Sequence, residues 1–157
     1  MCPLPGVSFV VPVYNKELHL PRVLAQIKAQ RGGFKRQYVF IDDGSTDNSL
    51  EILRKETAGW NNSIIESQEN QGSAGATNTG ITLSNQPYIK FVDADDLLHE
   101  YATLHLLEAL KDSDACLIFG GVYRFAENDE LDLSSSLGDG DIATIETPLL
   151  QALKNSL

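Results

Sequence analysis

Two acidic clusters are the residues of this sequence best suited to chemistry. Asp42-Asp43 and Asp93-Ala94-Asp95-Asp96 each follow directly on a short apolar run, residues 38–41 in the first case and 88–92 in the second. Like charges at close range repel, and no basic residue lies in these motifs, or in Pro12-Val13-Tyr14-Asn15, to offset the repulsion. Carboxylate oxygens suit Mg²⁺ or Mn²⁺, and Mg²⁺ is commonly held by one or two carboxylates together with substrate phosphates. The clusters therefore predict a divalent cation that bridges the protein to a diphosphate.

The competing interpretation is that each aspartate merely caps the helix or turn that follows it. For Asp47 and Asp96, capping and a functional role explain the sequence equally well. For Asp43, Asp93 and Asp95 together, capping is the weaker interpretation, because a cap needs only one carboxylate per helix. A cation bridging Asp95 to a diphosphate would also stabilise a leaving nucleoside diphosphate as a Lewis acid.

Tyr14 and two glycines are further candidates for ligand contacts. Tyr14 could stack on a planar base, or it could be a half-buried aromatic at the end of a strand, and the pattern does not choose between the two. Gly72 and Gly75 precede a predicted helix, where backbone N–H groups could face a phosphate. Glycine-rich turns are common, so this last signal is weak by itself.

The elements that would position these residues alternate between strand and helix. Apolar runs predict strands at residues 7–13, 38–41, 63–66, 88–92 and 115–119, with helices between them. Asn15 is predicted to cap the first helix, and Ser45 or Thr46 the second. This order is typical of an α/β protein with a mostly parallel, doubly wound sheet flanked by helices. Ligands bind beyond the carboxyl ends of such strands, so we expect the five carboxylates of the two clusters to converge there.

The composition narrows the class of protein. The 157 residues and the 42% apolar content predict a single domain over residues 1–157 with a real core. The formal net charge of −10 argues against a nucleic-acid partner, because an acidic surface repels phosphates. No apolar run reaches the length of a membrane span, and no signal peptide is recognised at the N-terminus, which predicts a cytoplasmic protein and leaves peripheral attachment to the inner face of a membrane open. Cys116 is expected to be a buried free thiol.

Four segments of the chain stand out together: Val10-Val11-Pro12-Val13-Tyr14-Asn15 with Glu17, Ile41-Asp42-Asp43-Gly44-Ser45-Thr46-Asp47, Asn70-Gln71-Gly72 continuing to Ala76-Thr77-Asn78-Thr79-Gly80, and Phe91-Val92-Asp93-Ala94-Asp95-Asp96. In order and spacing they resemble the family 2 glycosyltransferases over residues 6–120, and the last resembles the family's DxD segment. The resemblance implies the GT-A (Rossmann-like) fold and an inverting transfer of a sugar from a nucleotide-sugar, commonly a UDP-sugar, to an acceptor hydroxyl, for example in cell-surface polysaccharide synthesis.

The resemblance also implies roles for individual residues. The positions matching Asp93 and Asp95 hold Mn²⁺ or Mg²⁺ in the family, with Asp95 the direct ligand and Asp93 also beside the ribose. Asp43 matches the residue that hydrogen-bonds the base. The positions matching Pro12, Tyr14 and Glu17 surround the nucleobase and ribose. With Gly72, proposed above from its place before a helix, the predicted donor-binding set is Pro12, Tyr14, Glu17, Asp43, Gly72 and Asp93.

Two departures from the family pattern concern the transfer step. Thr77 stands where family members often carry an arginine near the donor. The catalytic base usually lies well after the DxD segment, but the 61 residues that follow Asp96 contain no recognisable base motif, so the catalytic residue is unknown. We therefore expect the chain to lack the C-terminal acceptor-binding part, with a saccharide or lipid-linked acceptor unidentified. The alternative function is a non-catalytic nucleotide-sugar-binding module that acts through a partner. The sequence makes no prediction of oligomeric state.

Overall fold

The computed structural model describes residues 4–111, 113 and 115–120, and the strand at 142–144. The chain divides into two compact units, Met1–Glu100 and Tyr101–Leu157. The expectation of one domain over residues 1–157 stays a prediction. Within the described part of the chain, no helix has both the length and the apolar character needed to cross a membrane.

The first unit is a parallel sheet flanked by helices. Its strands lie in the order β3 (Ser63–Ser67), β2 (Arg36–Asp42), β1 (Val7–Val13) and β4 (Tyr88–Phe91), and every neighbouring pair is parallel. This confirms the predicted mostly parallel α/β sheet. Along the chain the elements are β1 (Val7–Val13), α1 (Leu20–Ala29), β2 (Arg36–Asp42), α2 (Ser49–Glu56), β3 (Ser63–Ser67), α3 (Gly72–Leu83) and β4 (Tyr88–Phe91).

The two central strands form the core of this unit. β1 and β2 are almost wholly buried, which explains why their sequences are nearly continuous apolar runs. The polar exceptions satisfy one another, because the Ser8 hydroxyl donates a 2.6 Å hydrogen bond to Gln37 Oε1. Gln37 Nε2 in turn donates to the carbonyl of Leu83. These hydrogen bonds give the buried Ser8 and Gln37 side chains polar partners and tie the end of α3 to the sheet.

Helix α1 begins at Leu20 and buries Leu20, Val23, Leu24 and Ile27, as the spacing predicts. The predicted caps of the first two helices are wrong. His19 and Asn48, not Asn15 and Ser45 or Thr46, precede α1 and α2. Asn15 has a positive φ of 51°, and its side-chain oxygen accepts a hydrogen bond from the Thr46 N–H instead. The residues expected to cap helices are used to join two loops, a long-range role that local patterns do not show.

Helix α3 lies unusually close to the sheet. Its buried residues are Ala76 and Gly80, and Ala76 packs in a cluster with Val10, Val39 and Ile41. A Cβ placed on Gly80 would lie 2.4 Å from Val10 Cγ1, which is closer than real side chains approach. The small residues of α3 therefore permit this close packing, and the packing fixes where the helix begins.

The second unit contains α4 (Ala102–Lys111), β5 (Ile118–Gly120) and β6 (Ile142–Thr144), and β5 and β6 pair antiparallel. The strand predicted at residues 115–119 begins three residues later than expected. Cys116 lies before that strand and is exposed, so the prediction of a buried thiol is wrong. The apolar run around it is not strand throughout, and an apolar sequence alone did not ensure burial.

Candidate functional site

A cleft of about 550 Å³ opens at the carboxyl ends of the first unit's strands. It is formed by the end of β1, by residues that follow each of the four strands, and by the first two turns of α3, which is where a parallel sheet is expected to bind a ligand. The residues that line the cleft are Pro12, Val13, Tyr14, Lys16, Asp43, Asn70, Gly72, Ser73, Ala76, Asp93, Ala94 and Asp95.

The cleft brings together most of the residues singled out in the sequence. Pro12, Tyr14, Asp43 and Gly72 lie there, with both predicted metal ligands, Asp93 and Asp95. Glu17 is the exception and does not line the cleft. The structure therefore places six of the predicted residues around one space, although their assignment to donor and metal stays a prediction.

Asp43 lines the cleft, and hydrogen bonds hold its side chain in place. It is only 2% exposed, and its Oδ1 accepts hydrogen bonds from Gln68 Nε2 at 2.7 Å and from the Gln71 N–H at 2.9 Å. Its own N–H donates to the Val13 carbonyl at 2.8 Å. The carboxylate thus has a fixed orientation, and it holds the segment before α3 against the ends of the central strands.

Of the five carboxylates expected at this edge of the sheet, three line the cleft. Asp42 is buried away from it, where its Oδ2 accepts a 2.9 Å hydrogen bond from the Ser67 hydroxyl. Asp96 does not line the cleft either. Successive side chains of an extended strand point to opposite sides, which separates Asp42 from Asp43. Asp96 instead closes a turn, in which its N–H donates a 3.1 Å hydrogen bond to the Asp93 carbonyl.

The turn after β4 exposes its acids. Val92 and Ala94 are buried, whereas Asp93 and Asp95 are exposed. The pKa of the nearby Asp96 carboxyl is raised, first because burial disfavours its charge and then because Asp93 and Asp95 repel it. The cluster is therefore negative and crowded, which is the condition in which a cation is favoured.

Lys16 corrects the expectation that nothing basic offsets this charge. Its Nζ lies 2.5 Å from Asp95 Oδ2, and this hydrogen bond and ion pair lower the pKa of the Asp95 carboxyl, although partial burial opposes the shift. The two residues are 79 positions apart in the sequence. The available signal was a single lysine just after the first strand, at an end of the sheet already expected to gather acids.

Glu17 and Asp47 join the loops that carry the cleft. Glu17 Oε2 accepts hydrogen bonds from the N–H and the side-chain amide of Asn48, both at 2.9 Å. Asp47 accepts from the Glu17 N–H at 3.1 Å and from the Ser49 N–H at 2.9 Å. Asp47, one residue before the N-cap Asn48, thus accepts a hydrogen bond from the first N–H of α2, a structural role of the kind that the capping interpretation describes. Glu17 holds the loop after β1 in place, and its direct contact with a donor stays a prediction.

The start of α3 offers polar backbone to the same cleft. Gly72 has a φ of 80°, and α3 has no acidic residue in its first turn and no side-chain hydrogen bond from its N-cap, Gln71. Gly72 and Ser73 line the cleft. The N–H groups at a helix start carry partial positive charge and bind anions, so this side of the cleft suits a phosphate.

The carboxylates fit a cation whose remaining coordination positions are filled by phosphate or water. Among the described residues, no group of three or more His, Cys, Asp or Glu side chains is arranged to hold a metal ion. Asp93 and Asp95 supply two carboxylates, and Mg²⁺ is commonly held by that number together with phosphates and water. The donor set therefore matches Mg²⁺ or Mn²⁺ bound with a diphosphate better than a closed, all-protein metal site.

Comparison with known proteins agrees with this geometry. The sequence model of the family described as "Glycosyl transferase family 2" matches residues 8–154. Glycosyltransferase GlyG of Streptococcus pneumoniae is 35% identical over 124 residues, which cover 78% of this chain and 41% of that protein. The chain thus spans less than half the length of this curated relative.

Solved structures of two other proteins share the fold. Crystal structures of S. aureus TarS 1-349 with UDP and with UDP-GlcNAc match with a TM-score of 0.60 and 27% identity, covering 68% of this chain and about a third of that one (32% and 31%). Mannosyltransferase PcManGT from Pyrobaculum calidifontis, in complex with GDP-Man and Mn²⁺, matches with a TM-score of 0.69 and 25% identity over 79% of this chain and 38% of its own. The predicted GT-A fold is confirmed by these matches.

Proposed function

Because the chain belongs to glycosyl transferase family 2, we propose that the cleft binds the nucleoside diphosphate of a sugar donor, with UDP-sugar as the expected donor. The observation that carries the proposal is the meeting of Tyr14, Asp43, Gly72, Asp93 and Asp95 around one cleft at the carboxyl ends of parallel strands. An aromatic ring, a fixed carboxylate, a helix start and two exposed carboxylates are the groups that a base, a diphosphate and its cation require.

The nucleobase is assigned to the side of the cleft near Tyr14 and Asp43. Tyr14 is 47% exposed, so its ring is accessible for stacking. Asp43 is held in place by Gln68 and Gln71, and a carboxylate fixed in this way can accept a hydrogen bond from a base N–H without being reoriented. TarS was solved with UDP and PcManGT with GDP-Man, so both bases need to be compared.

The diphosphate is assigned to the space between the start of α3 and the acidic segment. Backbone N–H groups near Gly72 and Ser73 would bind phosphate oxygens, and Asp93 and Asp95 would hold Mn²⁺ or Mg²⁺. A divalent cation there supplies positive charge for a leaving nucleoside diphosphate. Asp95 is proposed as the direct ligand, with Asp93 beside it and the ribose.

We propose that this donor site serves, in a protein of its relatives' length, the transfer of the sugar with inversion to an acceptor hydroxyl, saccharide or lipid-linked. In such a reaction a carboxylate base removes the proton of the attacking hydroxyl. No residue of this chain is assigned to that role, and the chain spans 41% of its GlyG relative. For this chain alone we propose donor binding, in a cytoplasmic protein that is free or at the inner face of a membrane. The same cleft would serve a non-catalytic module acting through a partner.

Calorimetry tests the donor assignment. UDP and GDP are each titrated into the chain with Mn²⁺ and then with a chelator in its place. We expect the chain to bind UDP in the presence of Mn²⁺ and to bind GDP at least about tenfold more weakly. Its affinity for UDP should fall by at least about tenfold in the chelator. Equal affinity with and without the cation would overturn the metal assignment, and preference for GDP would overturn the base assignment.

A second assay distinguishes a transferase from a non-catalytic binding module. A transferase of the relatives' length should release UDP when an acceptor is present, and a binding module should not.

A further inference from the structure

The ion pair between Lys16 and Asp95 joins a basic residue to the carboxylate that the proposed function assigns to the cation. We propose that Lys16 occupies the cation's position at Asp95 in the nucleotide-free protein, so that nucleotide must release Lys16 before a divalent cation binds well. This inference rests on the proposed function, because it takes Asp95 as the metal ligand.

The backbone around Lys16 is held by hydrogen bonds, whereas its side chain can move between Asp95 and another partner. The Lys16 N–H donates a 2.8 Å hydrogen bond to the hydroxyl of Ser49, which is fully buried at the start of α2. On either side, the N–H groups of Asn15 and Glu17 donate to Ser45 and Asp47. The backbone from which the side chain extends is therefore fixed, and only the side chain itself, 34% exposed, is free to change its partner.

An ammonium group and a divalent cation compete for the same oxygen. Lys16 Nζ lies 2.5 Å from Asp95 Oδ2, within the volume that a coordinated cation and its water would fill. The two positive groups would also repel at that distance. The Asp95 side chain is 43% exposed, and exposed ion pairs are weak. The competition is therefore expected to lower cation affinity by a modest factor and not to prevent binding.

The diphosphate supplies the alternative partner for Lys16. Lys16 lines the same cleft as Gly72 and Ser73, where the phosphates are placed by the proposed function. A lysine ammonium binds phosphate oxygens well as a compact point charge. When the nucleotide enters, Lys16 moves from Asp95 to a phosphate and leaves the carboxylate to the cation. Nucleotide and cation then strengthen each other's binding, and by linkage each does so by the same factor.

Mn²⁺ binding measured without nucleotide tests this exchange. The variants are Lys16→Met, which keeps the length of the side chain and removes its charge, and Lys55→Met, a matched charge change at an exposed residue of α2 outside the cleft. We expect Lys16→Met to bind Mn²⁺ about threefold to tenfold more tightly than the unchanged chain, and Lys55→Met to differ by less than about twofold. The factor by which UDP enhances Mn²⁺ binding should shrink in Lys16→Met by the same amount.

Two further variants separate the possible failures. Lys16→Arg keeps the charge and can still pair with a carboxylate, so its Mn²⁺ affinity should not exceed that of the unchanged chain. Asp95→Asn should lose Mn²⁺ binding with and without UDP. If Asp95→Asn binds Mn²⁺ normally, the metal assignment of the proposed function is wrong. If Asp95→Asn loses Mn²⁺ but Lys16→Met matches Lys55→Met, the metal assignment stands and the exchange of Lys16 is overturned.

Discussion

Replacing Gly80 by alanine should destabilise the first unit, although alanine is ordinarily the better helix residue. In an open helix interior this change stabilises by about 1 kcal/mol. Here the new Cβ would lie 2.4 Å from Val10 Cγ1 and 3.5 Å from Ile41 Cγ1. Val10 is fully buried in a central strand and cannot move aside, so overpacking of about 1–3 kcal/mol is expected. The net loss should be about 1 kcal/mol, which corresponds to a fall in Tm of roughly 4–8 °C for a unit of this size.

A second glycine provides the control. A Cβ on Gly33 would meet nothing within 4 Å, so Gly33→Ala should change the stability by less than about 0.5 kcal/mol. Urea denaturation of both variants measures the difference. The double variant with Val10→Ala should recover part of the loss, giving a coupling of at least about 0.5 kcal/mol in a double-mutant cycle. Equal stability of the two alanine variants, with no coupling to Val10, would refute the close packing of α3 on the sheet.

Gly80→Ala should also weaken nucleotide binding in the cleft. α3 begins at Gly72, which lines the cleft, and the helix is one continuous element from Gly72 to Leu83. Displacing it from Val10 moves the N–H groups proposed to bind phosphate. UDP affinity of Gly80→Ala should therefore fall by at least about threefold under conditions where the variant is folded, because misplaced hydrogen-bond donors lose binding energy. Unchanged affinity with reduced stability would show that the start of α3 is not part of the site.

Two other residues give independent predictions. Burial lowers the pKa of Lys90 to about 8, below its ordinary value of 10.5, so the unfolded chain binds more protons between those values and stability should rise with pH from about 8 upward. Lys90→Met should therefore stabilise the chain at pH 7 by about 1–3 kcal/mol and flatten the rise of stability with pH. Urea denaturation at several pH values measures both effects. A rise that is steeper or unchanged in the variant would contradict the burial of the charge. Asp43→Ala should lower UDP affinity by more than about tenfold and cost about 1–3 kcal/mol of stability, because Gln68 Nε2 and the Gln71 N–H lose their acceptor. Asp43→Asn, which keeps an oxygen for these donors, should retain the stability yet bind UDP poorly, and calorimetry showing normal binding would exclude the carboxylate from base recognition.

The framework of the fold could be predicted because it depends on short-range patterns. The fully buried strand β1 has to be apolar at nearly every position, and α1 has to repeat its apolar residues with the helical period. The positions of Asp43, Asp93 and Asp95 follow from the same logic. Parallel strands end at one edge of the sheet, so residues that follow them meet there.

The features that could not be predicted depend on contacts between residues far apart in the sequence, or on which side of the sheet a side chain faces. The bond from Lys16 to Asp95 spans 79 positions, and that from Asn15 to Thr46 spans 31, so no local pattern reveals them. Asp42 and Asp43 are adjacent and chemically identical, yet the pleat turns only Asp43 towards the cleft.

The most direct test of the donor site compares two neighbouring aspartates in Mn²⁺-dependent UDP binding. Asp95 lines the cleft and Asp96 does not, so Asp95→Asn and Asp96→Asn remove the same charge one residue apart. Calorimetry with Mn²⁺ should show that Asp95→Asn loses at least about tenfold in UDP affinity, down to the affinity of the unchanged chain in a chelator. Asp96→Asn should change the UDP affinity by less than about threefold. Undiminished Mn²⁺-dependent UDP binding by Asp95→Asn would contradict the assignment of the cation to this cleft.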